Sequence, residues 1–133
     1  MKKTCPVFEI SGWSGSGKTT LIEKIIPLLL KKGIRVCLIK HSSHLSLDRP
    51  ESDSDRIYNT GVDILVHDGR QSLYRSHESF DLFSLLEGIP GEYDLFLVEG
   101  HKKAPIPKIW MGEMDPSAAG EIIAHFPYRQ GDP

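Results

Sequence analysis

The sequence predicts an α/β fold in which helices cover both faces of a mostly parallel sheet, a three-layer sandwich with one β-hairpin added. Short apolar runs alternate with segments of helical periodicity along the 133 residues, and this alternation is typical of parallel sheets covered by helices. A glycine-rich turn joins the first predicted strand directly to the first helix. An Asp-Gly pair between two alternating runs predicts the hairpin.

The first predicted elements are a strand, a helix and a strand. Residues 7–11, VFEIS, form a short apolar run that suits a buried strand. Residues 18–32 predict a helix, because their aliphatic side chains make one broad apolar face and Gly33 is a common C-terminal stop. Pro27 lies inside this helix and removes one backbone bond, so we expect a bend there. Residues 35–40, RVCLIK, predict the second strand.

The middle of the chain begins with a polar stretch, HSSHLSLDRPESD, which we interpret as a loop at the edge of the sheet where binding residues gather. A short helix follows, with Asp53 as a candidate N-cap and Gly61 as its stop. Asp68-Gly69 is then the predicted two-residue turn of the hairpin. After the hairpin a helix begins at Ser79 as its N-cap and ends before Pro90.

Two strands and a helix are predicted in the C-terminal part. Residues 93–100, YDLFLVEG, form a continuous apolar run and predict a deeply buried strand. Residues 108–112 predict a shorter strand. Residues 115–126 predict a last helix, because Asp followed by Pro is a frequent helix start. No linker or repeat divides the sequence, so we predict one nucleotide-binding domain over residues 1–133.

The composition is that of an ordinary globular protein, with 39% apolar and 26% charged residues. The net charge of -2 argues against a general nucleic-acid binder, which usually carries a basic excess. No apolar stretch approaches the roughly 20 residues that span a bilayer, and the N-terminal residues lack the apolar segment of a signal peptide. We therefore expect a cytoplasmic protein in which Cys5 and Cys37 are reduced, packed thiols.

The glycine-rich loop, residues 12–20, matches the phosphate-binding pattern G-x4-G-K-[ST] of P-loop NTPases. Its glycines permit backbone conformations in which successive N–H groups point inward toward an anion. The loop also ends at a helix N-terminus, which favours phosphate. Lys18 would neutralise the outer phosphates, and the Thr19 hydroxyl would bind Mg²⁺. The predicted nucleotide contacts in this loop are Gly12, Ser14, Gly15, Ser16, Gly17, Lys18, Thr19 and Thr20.

P-loop enzymes usually hold Mg²⁺ or its water with a carboxylate at the end of a neighbouring apolar strand. Glu99 occupies that place in DLFLVEG, at the carboxyl edge of the sheet, where open α/β folds bind ligands. Asp94 begins the same strand and falls at the opposite edge. Asp48, in the polar loop, is a second candidate metal ligand or water-orienting group. Lys18, Asp48 and Glu99 are thus the predicted catalytic residues, and Thr19, Glu99 and Asp48 the predicted metal ligands.

Basic and aromatic residues lie near these predicted strand ends. Lys40, His41, Arg56 and Lys102 are candidate anion contacts, with surface ion pairs as the alternative for Arg56 and Lys102. His41, His44 and His101 would bind either a metal or an anion or partner protein. Trp13 lies within the glycine-rich loop and is a candidate cover for the nucleotide, whereas Trp110 is assigned to the core. No N-K-x-D guanine-binding sequence is present.

Four stretches together resemble the MobB family, the molybdopterin-guanine dinucleotide biosynthesis proteins B: GWSGSGKTTLIEKIIPLL, GIRVCLIKHSSH, LDRPESDSDRIYNTG and DLFLVEGHKKAPIPKI. The resemblance covers residues 6–109. It implies a weak, Mg²⁺-dependent GTPase that binds GTP, forms a homodimer and acts in molybdenum cofactor biosynthesis. It also implies that the protein assists a MobA-type nucleotidyltransferase in attaching guanine nucleotide to molybdopterin, itself a further candidate ligand. The segment after PKI is shorter than in the family, which leaves base recognition and dimer geometry open.

Three other functions remain alternatives at this point. A metal-insertion GTPase of the nickel-chaperone type would use His41, His44 and His101, although no Cys-Pro-Cys or long His tract is present. A small-molecule kinase would need an Arg-rich lid, which the sequence does not display. A nucleotide-dependent adaptor without significant hydrolysis differs little in sequence from a weak GTPase. No Gln or Arg that would orient water or stabilise the transferred charge is identifiable here, and P-loop enzymes without such a residue are poor catalysts on their own.

Overall fold

The computed structural model describes residues 5–42, 45, 47–115 and 118–127. The chain divides into two compact units, Met1–Ser42 with Pro90–Pro133 and Ser43–Ile89. In the described part of the chain, no helix is long and apolar enough to cross a membrane. The elements in chain order are β1 (Val7–Gly12), α1 (Lys18–Lys31), β2 (Val36–Lys40), α2 (Asp53–Tyr58), β3 (Ile64–His67), β4 (Ser72–Arg75), α3 (Leu82–Gly88), β5 (Leu95–Glu99), β6 (Lys108–Met111) and β7 (Ile122–Phe126).

The first unit contains a five-stranded sheet in the order β2-β5-β1-β6-β7. All four strand pairings are parallel. The centre of this sheet is the core of the unit, where Ile10, Leu97, Val98 and Trp110 have no exposed surface. Because the strands are parallel, their carboxyl ends share one edge, at which the glycine-rich loop leaves β1. The predicted α/β fold with a mostly parallel sheet is confirmed.

Helix α1 contacts β1 and β2 and buries Ile22. It starts at the predicted residue and ends one residue earlier than predicted. Its end is closed by backbone bonds from Lys32 N to Leu29 O and from Gly33 N to Leu30 O. Gly33 has a φ of 77°, a left-handed conformation that favours glycine and explains the stop.

The second unit contains α2, the β3-β4 hairpin and α3. The hairpin is confirmed as an antiparallel pair, and it forms a separate two-stranded sheet. Its connection runs from Asp68 to Gln71, so it is longer than the predicted two-residue turn. The Asp68 carboxylate accepts hydrogen bonds from the amides of Arg70 and Gln71, each at 2.9 Å, and thereby stabilises the longer turn.

Both helices of the second unit have different caps from those predicted. Ser52, rather than Asp53, caps α2 by accepting a hydrogen bond from Asp55 N at 3.3 Å. Asp81, rather than Ser79, caps α3 by accepting from Ser84 N at 2.8 Å. The observed cap lies one residue before the predicted one in α2 and two residues after it in α3. Each observed cap binds a free amide in the first turn of its helix, because the helix begins at a different residue from the one predicted.

The predicted last helix over residues 115–126 is wrong, because Ile122–Phe126 form strand β7 parallel to β6. Gly120 has a φ of 92°, and a Cβ there would collide with the carbonyl oxygen of Ile106. That backbone conformation and close approach are incompatible with a helix through this point. The following residues then pair with β6, and Lys108 N donates to Glu121 O at 2.7 Å.

Candidate functional site

The glycine-rich loop has a backbone that side chains would disrupt. Gly12, Gly15 and Gly17 have φ values of 148°, 79° and 91°. At Gly12 a Cβ would collide with the carbonyl oxygen of Met111 and lie 2.8 Å from Ser16 Oγ. Glycine at this position is therefore required by the neighbouring strand as well as by the loop conformation.

Lys18 lies between the start of the glycine-rich loop and the end of β5. Its ammonium donates to the carbonyl oxygen of Gly12 at 2.7 Å. The same ammonium is 3.4 Å from Oε1 of Glu99, and each side chain is 13% exposed. Glu99 thus lies at the carboxyl edge of the sheet, where the sequence placed it, and next to Lys18; the predicted catalytic and metal-binding roles of the two residues stay predictions.

Three polar atoms near this edge are buried without a hydrogen-bond partner among the described residues: Oε2 of Glu99, Oγ of Ser16 and Oγ of Ser11, the last residue but one of β1. Buried polar groups are usually hydrogen-bonded, so such unpaired oxygens are expected where a ligand, ion or water supplies the partner. The start of α1 is also free of side-chain caps, and its first turn carries no acidic residue. Its free amides and dipole therefore favour an anion.

The other predicted loop contacts, Ser14, Thr19 and Thr20, are exposed to solvent. Thr19 and Thr20 lie in the first turn of α1. A hydroxyl on an exposed first turn next to a phosphate loop is available to an ion or phosphate oxygen. Their predicted roles stay predictions.

The end of β2 lies beside the end of β5. Lys40 is opposite Glu99 in the strand register and is exposed. His41 continues the alignment, since its amide donates to the Glu99 carbonyl at 2.9 Å. The ring of His41 meets that of His101 edge to face at 5.6 Å. A Cβ on Gly100 would lie 3.0 Å from the His41 Cβ, so glycine lets the two segments pack closely.

Trp13, the aromatic residue of the glycine-rich loop, has 52% of its surface exposed. Its ring rests edge to face on the buried Trp110 at a centroid distance of 6.3 Å. The ammonium of Lys102 lies 5.3 Å from the centroid of the Trp13 ring, within range of a cation–π interaction. The assignment of Trp110 to the core is confirmed.

A charged pair inside the sheet was not predicted from the sequence. Glu9 on β1 and Lys108 on β6 face each other in register, and both are fully buried. Their carboxylate and ammonium are 2.8 Å apart. A signal was present in the sequence, because each is a charged residue within an otherwise apolar strand, VFEIS and KIWM.

Asp48 and Arg56 belong to the second unit. Asp48 accepts hydrogen bonds from Ser54 Oγ at 2.7 Å and Ser52 Oγ at 3.1 Å, and it forms an ion pair with Arg75 at 3.3 Å. These contacts lower the pKa of Asp48, chiefly through the Ser54 hydroxyl. Arg56 is exposed in the last turn of α2. Their parts in metal or nucleotide binding stay predictions.

The predicted histidine metal site comprises His41, His44 and His101. His44 lies outside the described residues. Within the ranges that the structure describes, no group of at least three His, Cys, Asp or Glu side chains is arranged to hold a metal ion. Cys5 and Cys37 are both part-buried, and burial raises the pKa of the Cys37 thiol.

Comparison with known proteins gives a consistent set of relatives. The family of molybdopterin guanine dinucleotide synthesis protein B, MobB, matches residues 7–120. A molybdopterin-guanine dinucleotide biosynthesis adapter protein of Haemophilus influenzae is 42% identical over 114 residues, covering 82% of this chain and 64% of that protein. The Escherichia coli adapter protein is 38% identical over 115 residues, covering 81% and 66%. This chain thus spans just under two thirds of the length of these relatives.

A solved structure of the same family is similar to this chain in fold as well. The crystal structure of a molybdopterin-guanine biosynthesis protein B, mobB, matches with a TM-score of 0.72 at 30% sequence identity. The match covers 90% of this chain and 80% of the other. The family match includes the glycine-rich loop and Glu99, and it ends just before β7.

Proposed function

This chain belongs to the MobB family, and we propose on that basis that it is a GTP-binding adapter in the biosynthesis of molybdopterin-guanine dinucleotide. The observation that carries the proposal is the placement of Lys18 between the glycine-rich loop and Glu99. A cation and a carboxylate so placed, beside free helix amides, suit the phosphates and divalent ion of a nucleotide.

The phosphates would bind to the inward amides of the loop and to Lys18. In the form described here, the Lys18 ammonium rests on the carbonyl oxygen of Gly12 and on Glu99. A bound phosphate offers a stronger charge-assisted partner for this ammonium. Lys40, His41 and Lys102, which lie at or just after the ends of neighbouring strands in the same unit, would supply further donors.

Mg²⁺ fits the oxygen atoms at this edge. Glu99 has one carboxylate oxygen buried without a partner among the described residues. Carboxylate and hydroxyl oxygens are the ligands Mg²⁺ prefers, and it usually keeps several waters. Glu99 and the Thr19 hydroxyl would hold it, and the role of Asp48 as a further ligand stays a prediction. When bound, Mg²⁺ supplies neutralising charge to the phosphate oxygens.

Hydrolysis is proposed to be slow, and the main role to be assistance of a MobA-type nucleotidyltransferase in the cytoplasm, by a homodimer of this chain. Support comes from the relatives in Haemophilus influenzae and Escherichia coli, which are adapter proteins by name. A protein that lacks a dedicated water-orienting or charge-stabilising finger hydrolyses its nucleotide poorly on its own. The nucleotide would then set a conformation that the partner recognises, with molybdopterin as a further candidate ligand.

The proposal is tested by titration calorimetry with GTP, GDP and ATP, each with and without Mg²⁺. We expect GTP to bind more tightly than ATP, and Mg²⁺ to strengthen GTP binding. Lys18→Ala should abolish binding, because it removes the cation beside the loop. The matched control is Lys24→Ala, an exposed lysine on the same helix, which should bind as the unmodified chain does. A preference for ATP, or unchanged GTP affinity in Lys18→Ala, would contradict the proposal.

Hydrolysis and adapter function are separated by a second measurement. Glu99→Gln should lower Mg²⁺-dependent phosphate release more than it lowers GTP affinity, since the amide keeps the volume and loses the charge. If release is negligible in the unmodified chain with and without the partner transferase, the adapter acts through binding alone. Phosphate release in Glu99→Gln equal to that of the unmodified chain would remove Glu99 from the metal site.

A further inference from the structure

The buried pair of Glu9 and Lys108 contacts more than its two strands. Besides the 2.8 Å ion pair, Oε2 of Glu9 accepts a hydrogen bond from the backbone amide of His101 at 2.6 Å. The Lys108 ammonium also donates to the backbone carbonyl of Ala104 at 2.5 Å. The carboxylate therefore holds one end of residues 101–104, the 101–104 segment, and the ammonium holds the other.

Joining the two strands does not require this pair. Strands β1 and β6 are already paired by backbone in parallel register, and Glu9 N donates to Pro107 O at 2.9 Å. Removing two charges from water is costly, and apolar residues of similar volume often replace such a pair without loss of stability. The contacts that apolar residues could not replace are the ones to the backbone of the 101–104 segment.

The 101–104 segment follows directly after Glu99 and Gly100 and carries two groups of the candidate site. The ring of His101 packs against His41. Lys102 places its ammonium over Trp13 of the glycine-rich loop. The segment closes on itself through a hydrogen bond from Ala104 N to His101 O at 2.9 Å, so fixing its two ends fixes the turn between them.

We propose that Glu9 and Lys108 are positioning residues that hold the 101–104 segment, and through it Lys102, beside the glycine-rich loop. Lys102 then supplies a second positive charge for the anionic ligand, in addition to Lys18. The first part of the proposal depends only on the fold. The second part, the effect on ligand binding, rests on the proposed nucleotide-binding function.

The main test replaces both members of the pair, Glu9→Leu with Lys108→Met. This double variant keeps an apolar side chain of similar length on each strand and leaves no single buried charge, so we expect it to fold with an unchanged or higher melting temperature. Hydrogen exchange of the His101 amide, followed by NMR, should accelerate at least about tenfold, the factor expected from losing one hydrogen bond to a charged group. The ring-current shift of the Lys102 side chain from Trp13 should decrease.

Nucleotide binding gives the second measurement. The double variant should bind GTP with Mg²⁺ at least about tenfold more weakly, corresponding to one lost charge-assisted contact. Lys102→Met, which leaves the pair intact, should weaken GTP binding similarly without changing exchange at His101. The matched control is Arg35→Met, which removes an exposed ion pair with Asp94 at the other end of the sheet. It should change neither measurement.

Glu9→Asp provides an independent variant if the double variant does not fold. It keeps the charge of the pair but shortens the side chain by one methylene, so it cannot reach both Lys108 and the His101 amide as Glu9 does. We expect faster exchange at His101 in this variant as well. Unchanged exchange at His101 in a folded Glu9 variant overturns the positioning role. Faster exchange with unchanged GTP affinity overturns the role of the segment in binding. An unmodified chain that binds no nucleotide refutes the proposed function and leaves exchange to decide the positioning role.

Discussion

In the first unit, Glu9 and Lys108 form an ion pair whose side chains are both fully buried. In the second unit, the guanidinium of Arg75 forms ion pairs with both Asp48 and Asp55, and these side chains remain partly exposed to water. The buried pair has few partners, all of them fixed by strand register or by one short segment. The second network spreads its charge over hydroxyls, amides and solvent. Losing one partner is therefore costly in the first case and partly compensated in the second.

The largest effect tests the buried pair directly. Lys108→Met alone leaves the Glu9 carboxylate buried without its cation and should lower the free energy of unfolding by about 3–5 kcal/mol. Urea denaturation followed by circular dichroism measures this change. Adding Glu9→Leu should restore at least the stability of the unmodified chain, because no unpaired charge remains. A single variant that loses less than about 1 kcal/mol, the usual value of an exposed pair, would remove the contrast between the two units.

The next effect concerns backbone conformation. Gly12→Ala puts a Cβ against the Met111 carbonyl at a φ of 148° and should destabilise the chain by about 1–3 kcal/mol, with loss of nucleotide binding. The matched control is Gly69→Ala in the hairpin of the second unit. Gly69 also has a positive φ, 89°, but no atom lies within 4 Å of its Cβ position. Gly69→Ala should therefore destabilise the chain only through the backbone strain of a positive φ, without a steric collision. Equal losses at both sites would mean that the contact with Met111 has no effect.

Acid pH should destabilise the second unit. Hydrogen bonds lower the pKa of Asp48, chiefly from Ser54, and that of Asp55, chiefly from the Glu51 amide, below the usual 3.8. Groups with a lowered folded pKa contribute stability that is present above the unfolded value and disappears as the pH falls through the folded value. Protection of the β3-β4 hairpin amides from exchange, measured relative to their intrinsic rates at each pH, should therefore decrease below pH 3.8. Asp48→Asn with Asp55→Asn should flatten this dependence; an unaltered acid profile would contradict it.

Most of the first unit could be predicted because its information is local. Each of β1, β2, β5 and β6 is a short apolar run with turn residues at its ends, and the loop motif specifies the start of α1. Strand β7 could not, because the segment IIAHF fits either periodicity over so short a length. What decides its structure is the left-handed Gly120 against Ile106 and the pairing with β6, contacts that the segment itself does not reveal.

The candidate site likewise contains residues that local sequence predicts and contacts that it does not predict. Lys18 and Glu99 were predicted because a motif and a strand end placed each at the same sheet edge. The link between Glu9 and the His101 amide joins residues 92 positions apart, and the Glu9–Lys108 pair joins residues 99 positions apart. Such contacts depend on strand order and register, which the order of elements alone does not determine. A charge inside an apolar strand signals that a partner exists without identifying it.

The smallest effect tests the second unit's capacity to compensate. Ser52 caps α2 by accepting from Asp55 N and donates to Asp48, so Ser52→Ala should cost about 1 kcal/mol. Ser54→Ala removes the shorter bond to Asp48 but no cap, and it should cost less, because Asp48 keeps Arg75 and Ser52. Amide exchange at Asn59, which donates to Asp55 O, measures the stability of α2, with Phe96 in the parallel sheet as the internal reference. If Ser54→Ala costs as much as Ser52→Ala, the network does not redistribute its bonds, and its difference from the buried pair is one of degree only.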